Sequence, residues 1–375
     1  MLDRRRLLTG VLPTLAISGT TLGFPALLLP EPPPEEALPD GAASAGMITQ
    51  KTQDAIDQGL SFLATNKLRD GSFGTSVHTG NTAITSLAAL AFMAGGSMPN
   101  QGPHGRLVTD AIRFVLSQEN VERQHPGFLH NPTSTRHGPM YGHGFATLFL
   151  AEVSGQIHDK QLRDDVNRVL HLAVELILKS QNAEGGWRYT PTSREADLSV
   201  TICQIMALRA ARNAGVAVPK AQVDRCVEYV KRCQDRRDGW FRYMLQGPGG
   251  GGGPQAFART AAGVAALHSA GIYKGPEVDA GIRFLRGQKP NGAAGGGLMA
   301  RPDMHYFYGH YYAAQVMWTT GGEAWTQWYP AIREELLGMQ QRNGSWLDQI
   351  CPHYATAMAL LVLQVPNNYL TIFQK

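Results

Sequence analysis

Two kinds of apolar segment alternate along the chain. The first kind carries Arg, Lys, Glu or Asp on one face and apolar residues on the other. It begins near Ala55, Ala111, Val169, Cys226, Gly281 and Glu335, starts separated by about 54 to 58 residues. The second kind is rich in Ala and apolar nearly all round: TAITSLAALAFMAG, GFATLFLAEVSG, LSVTICQIMALRAARNAG, ARTAAGVAALHSAG, YYAAQVMWTTGG and YATAMALLVLQ. An amphipathic stripe marks a helix lying on a core, and an all-round apolar helix marks one inside it. The pattern therefore predicts six units, each an outer helix followed by an inner one. Six such pairs suit a closed double ring, with an open superhelix as the alternative, and the polar loops then gather at the two ends of a central cavity.

Most outer segments run through Gln into a Gly turn. Gln181 leads to Gly185 and Trp187, Gln234 to Gly239 and Trp240, and Gln340 to Gly344 and Trp346, while the first copy offers Asp70-Gly71-Ser72-Phe73. A Gln at a helix end can satisfy orphan carbonyls, and a Trp beside it buries a large area. Ala-Gly or Ser-Gly doublets at or near the ends of four inner segments read as helix caps.

Composition refines this picture without changing it. The 375 residues include 42 Gly and 22 Pro, with 43% apolar and 17% charged positions. That apolar share excludes wholesale disorder, and the glycines follow no collagen period. A formal net charge of +4, dispersed along the chain, gives no reason to expect nucleic acid as a partner. Four cysteines, Cys203, Cys226, Cys233 and Cys351, show no metal or disulfide spacing. Arg4-Arg5-Arg6-Leu7-Leu8 and the weakly apolar run after it have the order of an export signal of twin-arginine type, or of a short membrane anchor. Residues 1–29 are thus assigned to a signal or anchor, 30–48 to a Pro-rich linker and 49–375 to one helical domain. The expected location is periplasmic or extracellular, with membrane association through the N-terminus if the signal is not cleaved.

The Gln181-x3-Gly185-x-Trp187 and Gln340-x3-Gly344-x-Trp346 stretches resemble the repeat of the prenyltransferase and squalene–hopene cyclase superfamily. The resemblance spans about residues 50 to 365 and implies an all-α fold, the α6/α6 toroid of terpenoid cyclases and protein prenyltransferases. It also implies that Gln181, Trp187, Trp240, Gln340 and Trp346 are structural.

If the inner helices are parallel, their N-termini converge on one mouth. Aligned by their Ala and Thr positions, they begin at Asn81, His143, Asp197, Ala256, His310 and His353. Asn81 and Asp197 suit plain N-caps. His143, His310 and His353, with Asp197, offer ligand types for zinc; hydrogen-bonded or substrate-facing imidazoles are the other reading. By the cyclase resemblance Glu195-Ala196-Asp197-Leu198 corresponds to the Asp-x-Asp-Asp motif, making Asp197 the general acid, with Glu195 at the first acidic position and the ring of mouth histidines in support. The last acidic position is lost to Leu198, and the chain is too short for a two-barrel polyene cyclase. By the prenyltransferase resemblance, Asp303 with His305, or alternatively His310, would join His353 as metal ligands, though the Asp-x-Cys pair is not intact. Tyr306, Phe307, Tyr308, Tyr311 and Tyr312 cluster at the fifth inner start, where aromatic faces could bind substrate beside His143. Arg123, His125, His130, Arg136 and His137 make the second loop basic and His-rich, and two Gly-rich loops near 250 and 295 suit a lid.

Three functions follow in order. The first is an enzyme acting on an isoprenoid or other apolar small molecule in the cavity. The second is a non-catalytic toroid that holds a ligand or protein partner. The third is a carbohydrate lyase or hydrolase on a similar double ring.

Overall fold

A computed structural model describes residues 44–119, 124–134, 138–246, 255–288, 290 and 305–374. Residues 1–43, Arg123, Arg136, His137, Asp303 and the Gly-rich stretches 247–254 and 292–297 lie outside that set, and with them the expectations placed there. Residues Leu38–Lys375 form one compact unit.

The amphipathic segments are six helices: α1 Gln50–Thr65, α3 Gly105–Ser117, α5 Lys160–Ser180, α7 Lys220–Cys233, α9 Pro276–Gly287 and α11 Gly322–Met339. The Ala-rich segments are six more: α2 Thr82–Ala94, α4 Pro139–Val153, α6 Leu198–Asn213, α8 Ala256–Ser269, α10 Tyr306–Thr320 and α12 Pro352–Leu363. Their starts follow from capping chemistry. The Asn81 side chain accepts from Ile84 N–H at 3.2 Å, Asp159 from Leu162 N–H at 2.7 Å and Asp197 from Val200 N–H at 2.8 Å. Proline opens α4, α9 and α12, where its missing N–H costs nothing.

Each even-numbered helix packs on the next, from α2 through α12, and α12 packs back on α2. The inner ring is closed. The odd-numbered helices surround it, and α1 meets α11 and α12. Burial explains the segregation: every residue of α2 except Ala83 is buried, and every residue of α12 except Pro352, whereas α7 buries only Cys226, Tyr229, Val230 and Cys233. All four cysteines are buried and unbridged.

The Gln turns join neighbouring units. Gln181 Nε2 donates to Gly185 O within its turn and to Gln222 O on α7, both at 2.8 Å. Gln340 Nε2 donates to Gly344 O at 3.0 Å and to Ala55 O on α1 at 2.8 Å, so the last turn ties back to the first helix. The indoles of Trp187 and Trp346 donate to Ile177 O and Leu336 O at 2.7 and 2.8 Å, anchoring each turn to its own outer helix. Gly185 has φ +97°, and a Cβ there would stand 2.3 Å from Arg225 O, so only Gly fits.

A second register lies beneath the turns. The backbone N–H groups of Phe73, Trp187, Phe241 and Trp346 donate to Thr85, Thr201, Thr260 and Thr356 on the inner helices at 3.0 to 3.2 Å. This corrects the place of Trp240. The fourth turn is one residue longer between Gln234 and its Gly, and Phe241, fully buried, takes the position of Trp187.

At the other end of the ring the chain after α12 folds across the C-termini of the inner helices. Glu152, near the end of α4, accepts from Thr371 N–H, Thr371 Oγ1 and Ile372 N–H at 2.7 to 2.9 Å. Arg209, near the end of α6, donates to Gln374 O. The central space is therefore covered at that end, and its mouth is at the inner N-termini.

Candidate functional site

A cavity of about 780 Å³ opens at that mouth. Its walls are the starts of the inner helices: the cap residue Asn81 with Ile84 and Leu87 of α2, then Tyr141, Gly142 and Phe145 of α4. These recur at three- and four-residue steps, the spacing that keeps one helix face on the lumen. Ser199 of α6, Ala258 and Arg259 of α8, Tyr308 of α10 and Tyr354 of α12 complete the ring. The loops entering α6, α8 and α12 add Tyr189, Tyr243 and Asp348.

One side holds a hydrogen-bonded chain. Ser199 Oγ donates to Asp197 Oδ1 at 2.7 Å, which leaves the Ser199 oxygen to accept from Tyr141 Oη at 2.6 Å. Asp197 itself is fully buried behind Ser199 as the cap of α6. Burial raises its pKa above the usual carboxylate range, against the pull of Val200 N–H, Ser199 and the Arg188 charge. Its Oδ2 has no hydrogen-bond partner among the described residues. Asp197 thus keeps both an N-cap role and access to the cavity through Ser199 and Tyr141. Burial, followed by the Asp197 charge, holds the Tyr141 phenol well above its ordinary value.

Asp348 is the carboxyl on the cavity wall among the described residues. Its Oδ1 accepts from Ile350 N–H at 2.8 Å. Burial raises its pKa, with the Ile350 N–H and the charge of His305 acting against the rise. His305 caps α10 in the left-handed conformation, φ +72°, which a non-Gly residue adopts only at a cost. Tyr308 and Tyr354 line the wall between Asp348 and Ser199, and Tyr308 Oη donates to Ser199 O at 3.1 Å.

The three histidines expected at the mouth are not there. His143 and His310 lie one turn inside their helices, and His353 is the second residue of α12. All three face outward to other shells. His143 Nδ1 accepts from Leu129 N–H at 3.2 Å and its Nε2 donates to Ala173 O on α5 at 3.1 Å. It occupies the position that Thr85, Thr201, Thr260 and Thr356 hold in four other units, and the imidazole does the work of the hydroxyl. His310 packs among Phe257, Tyr306 and Trp328, with ring centroids 4.8, 4.4 and 5.9 Å away. His353 Nδ1 accepts from Gly74 N–H at 2.8 Å, its ring edge-on to Phe62 and Phe73. No neighbour is shared by the three, and among the described residues no group of three His, Cys, Asp or Glu is placed to hold a metal ion. The zinc pocket of His143, His310, His353 and Asp197 is therefore not assembled. The displaced alignment explains the error: Pro139 and Tyr306, not the histidines, open α4 and α10.

Other expected site residues separate in the same way. Glu195 is exposed and paired with Arg188, away from the cavity. Tyr306 donates to Glu335 on α11 at 2.7 Å, and buried Tyr311 packs on Tyr312 and Phe145; of the expected tyrosines, Tyr308 reaches the cavity. His130 is buried against Phe128, ring centroids 4.4 Å apart. Tyr189, Tyr243 and Asp348 had not been singled out, although a signal was present. Each follows by two residues the turn aromatic of its unit, Trp187, Phe241 or Trp346, and alternation along an extended segment points it inward.

Comparison with solved structures separates fold from chemistry. A type II terpene cyclase, MstE from Scytonema, in complex with geranylgeranyl dihydroxybenzoate, superposes with TM-score 0.58 at 11% identity, over 85% of this chain and 98% of that one. A cellobiose 2-epimerase from Bacillus thermoamylovorans gives 0.58 at 12%, over 84% and 98%. What these structures share with the chain is the fold, a closed α/α toroid. A GH76A alpha-1,6-mannanase from Salegentibacter shares it too, at TM-score 0.54 and 8% identity, over 84% of this chain and 98% of that one. No protein-family model and no curated protein matches the chain. At these identities the toroid is what is shared, and the chemistry rests on the cavity.

Proposed function

We propose that this toroid is an enzyme that binds a largely apolar, isoprenoid-like small molecule in its cavity and moves a proton on it. One observation carries the reading: the chain from Tyr141 through Ser199 to buried Asp197 opens onto a cavity walled by Ile84, Leu87, Phe145 and tyrosine rings. Apolar walls with a few convergent polar groups are the usual make-up of a small-molecule site, and 780 Å³ is within the usual size range for one. Val77, Leu347 and Ile350 are exposed on the two loops beside the mouth, a rim that suits entry of an apolar molecule. Glycoside hydrolysis calls for two carboxyl groups flanking the scissile bond. Among the described lining residues Asp348 is the one carboxyl, so glycoside hydrolysis has less support in this cavity than proton transfer on an apolar substrate. The basic N-terminal start and Pro-rich spacer support an exported or membrane-anchored enzyme.

Incubation with geranylgeranyl dihydroxybenzoate and with geranylgeraniol in D₂O tests this, with products read by mass spectrometry. The expected product is an isomer bearing one carbon-bound deuterium. Recovery of both compounds unlabelled, although bound, leaves the non-catalytic binding toroid as the better account.

A further inference from the structure

We propose that Asp348 is the catalytic acid of this cavity and that the Tyr141–Ser199–Asp197 chain takes a proton back on the opposite wall. The proposal rests on the proton-moving function above and exchanges the role that the motif resemblance gave Asp197. Three observations support it. Asp348 lines the cavity, whereas Asp197 is sealed behind Ser199 and touches no lumen. Asp197 Oδ1 already accepts two hydrogen bonds, from Ser199 Oγ and Val200 N–H, which oppose the rise that burial imposes on its pKa and aim that oxygen at the Ser199 hydroxyl as the end of a proton path. In the six-membered ring α6 and α12 stand opposite each other, so the Asp348 loop and Ser199 face across the mouth.

His305 adds a further mark of function. It holds its strained left-handed backbone beside Asp348, where the imidazole and the carboxyl feel each other's charge. Tyr308 and Tyr354 present rings along the wall between the two carboxyls, and aromatic faces stabilise developing positive charge.

The step balances without a co-reactant. The Asp348 O–H bond breaks as a C–H bond forms at a substrate alkene carbon, leaving positive charge on the substrate. A neighbouring substrate C–H then gives its proton to Tyr141 Oη, the electron pair restoring a double bond. The Tyr141 proton passes to Ser199 and that of Ser199 to Asp197 Oδ1. The product is an isomer of the substrate, and water at the mouth returns Asp348 and Asp197 to their starting states.

The terminal epoxide of geranylgeraniol locates the acid without knowledge of the natural substrate. An acidic carboxyl protonates the epoxide oxygen while its own oxygen attacks the ring carbon, leaving a hydroxyalkyl ester that peptide mapping finds. The expected ester is on Asp348, suppressed at least tenfold by excess geranylgeraniol, absent in Asp348→Asn and recovered in Asp348→Glu. An ester on Asp197, esters spread over surface carboxyls, or no ester at all overturns the assignment. Labelling of Asp348 with no deuterium entering the trial substrates in D₂O would sink the proposed function and leave the acid standing. Deuterium entry with the ester elsewhere would do the reverse.

Discussion

Two buried imidazoles make this ring sensitive to mild acid. His143 is fully buried and His310 nearly so, and burial pushes each pKa down to about 3 from an ordinary 6.5. Both are neutral in the fold at any pH above that value. The unfolded chain binds protons at these two positions below about pH 6.5, where the fold does not, so stability is complete above pH 6.5 and falls as the pH drops toward 3. Each imidazole contributes a slope approaching about 1.4 kcal/mol per pH unit in that window, and the pair nearly ~3. Asp197, Glu152 and Asp348, with pKa values raised mainly by burial, act with opposite sign at the acid end of the range. The slope is therefore cleanest just below pH 6.5. His143→Asn isolates one contribution. The Asn oxygen can still accept from Leu129 N–H, while the bond to Ala173 O is lost, at a cost of roughly 1–3 kcal/mol at pH 7.5. Urea unfolding followed by tryptophan fluorescence should show the variant losing about 1.4 kcal/mol less stability than the unaltered protein between pH 7.5 and 5.5, an average slope shallower by about 0.7 kcal/mol per pH unit. An equal slope in both proteins, or a flat profile for the unaltered one, would refute the burial argument.

Other substitutions probe the joints of the ring. Thr356→Val keeps shape but strands the buried Trp346 N–H, and should cost about 1–3 kcal/mol in urea unfolding. Gly185→Ala forces a Cβ against Arg225 O at positive φ and should cost at least ~2 kcal/mol, read as a lowered melting temperature. Asp197→Asn retains a good N-cap and should change stability by less than about 1 kcal/mol, whereas Asp197→Ala should lose about 1 kcal/mol or more. Glu152→Ala removes the acceptor for three donors in the C-terminal turn, and hydrogen exchange at Thr371–Phe373 should rise while the inner helices stay protected.

The double ring was legible in the sequence because burial writes itself into composition. An inner helix packed on both sides has no polar face, and α2 and α12 show this at once; an outer helix such as α7 keeps its charged side. The Gln turns were legible where Gln181 and Gln340 keep their spacing to Gly and Trp. They misled by one residue at Trp240, where the extra turn residue hands the buried place to Phe241. The site was harder to read because alignment by composition cannot fix a helix start. One turn of slippage brought His143 and His310 to the mouth on paper, while in the fold their rings face the outer helices. His143 also shows why residue type alone misleads: it fills a Thr position and makes the hydrogen bond that Thr makes elsewhere. Asp197 was found for a capping reason and kept a second connection, through Ser199, that no spacing rule could reveal. Asp348 was visible only once the turn aromatics had been set in register.

The account turns on what the mouth of the inner ring holds. A crystal structure of the protein soaked with geranylgeraniol tests this most directly. The predicted result is chain-shaped density in the cavity, in contact with Phe145, Tyr308 and Tyr354, with an end or double bond beside Asp348 and Tyr141. A water-filled cavity with the compound bound elsewhere, or bound nowhere, would contradict it.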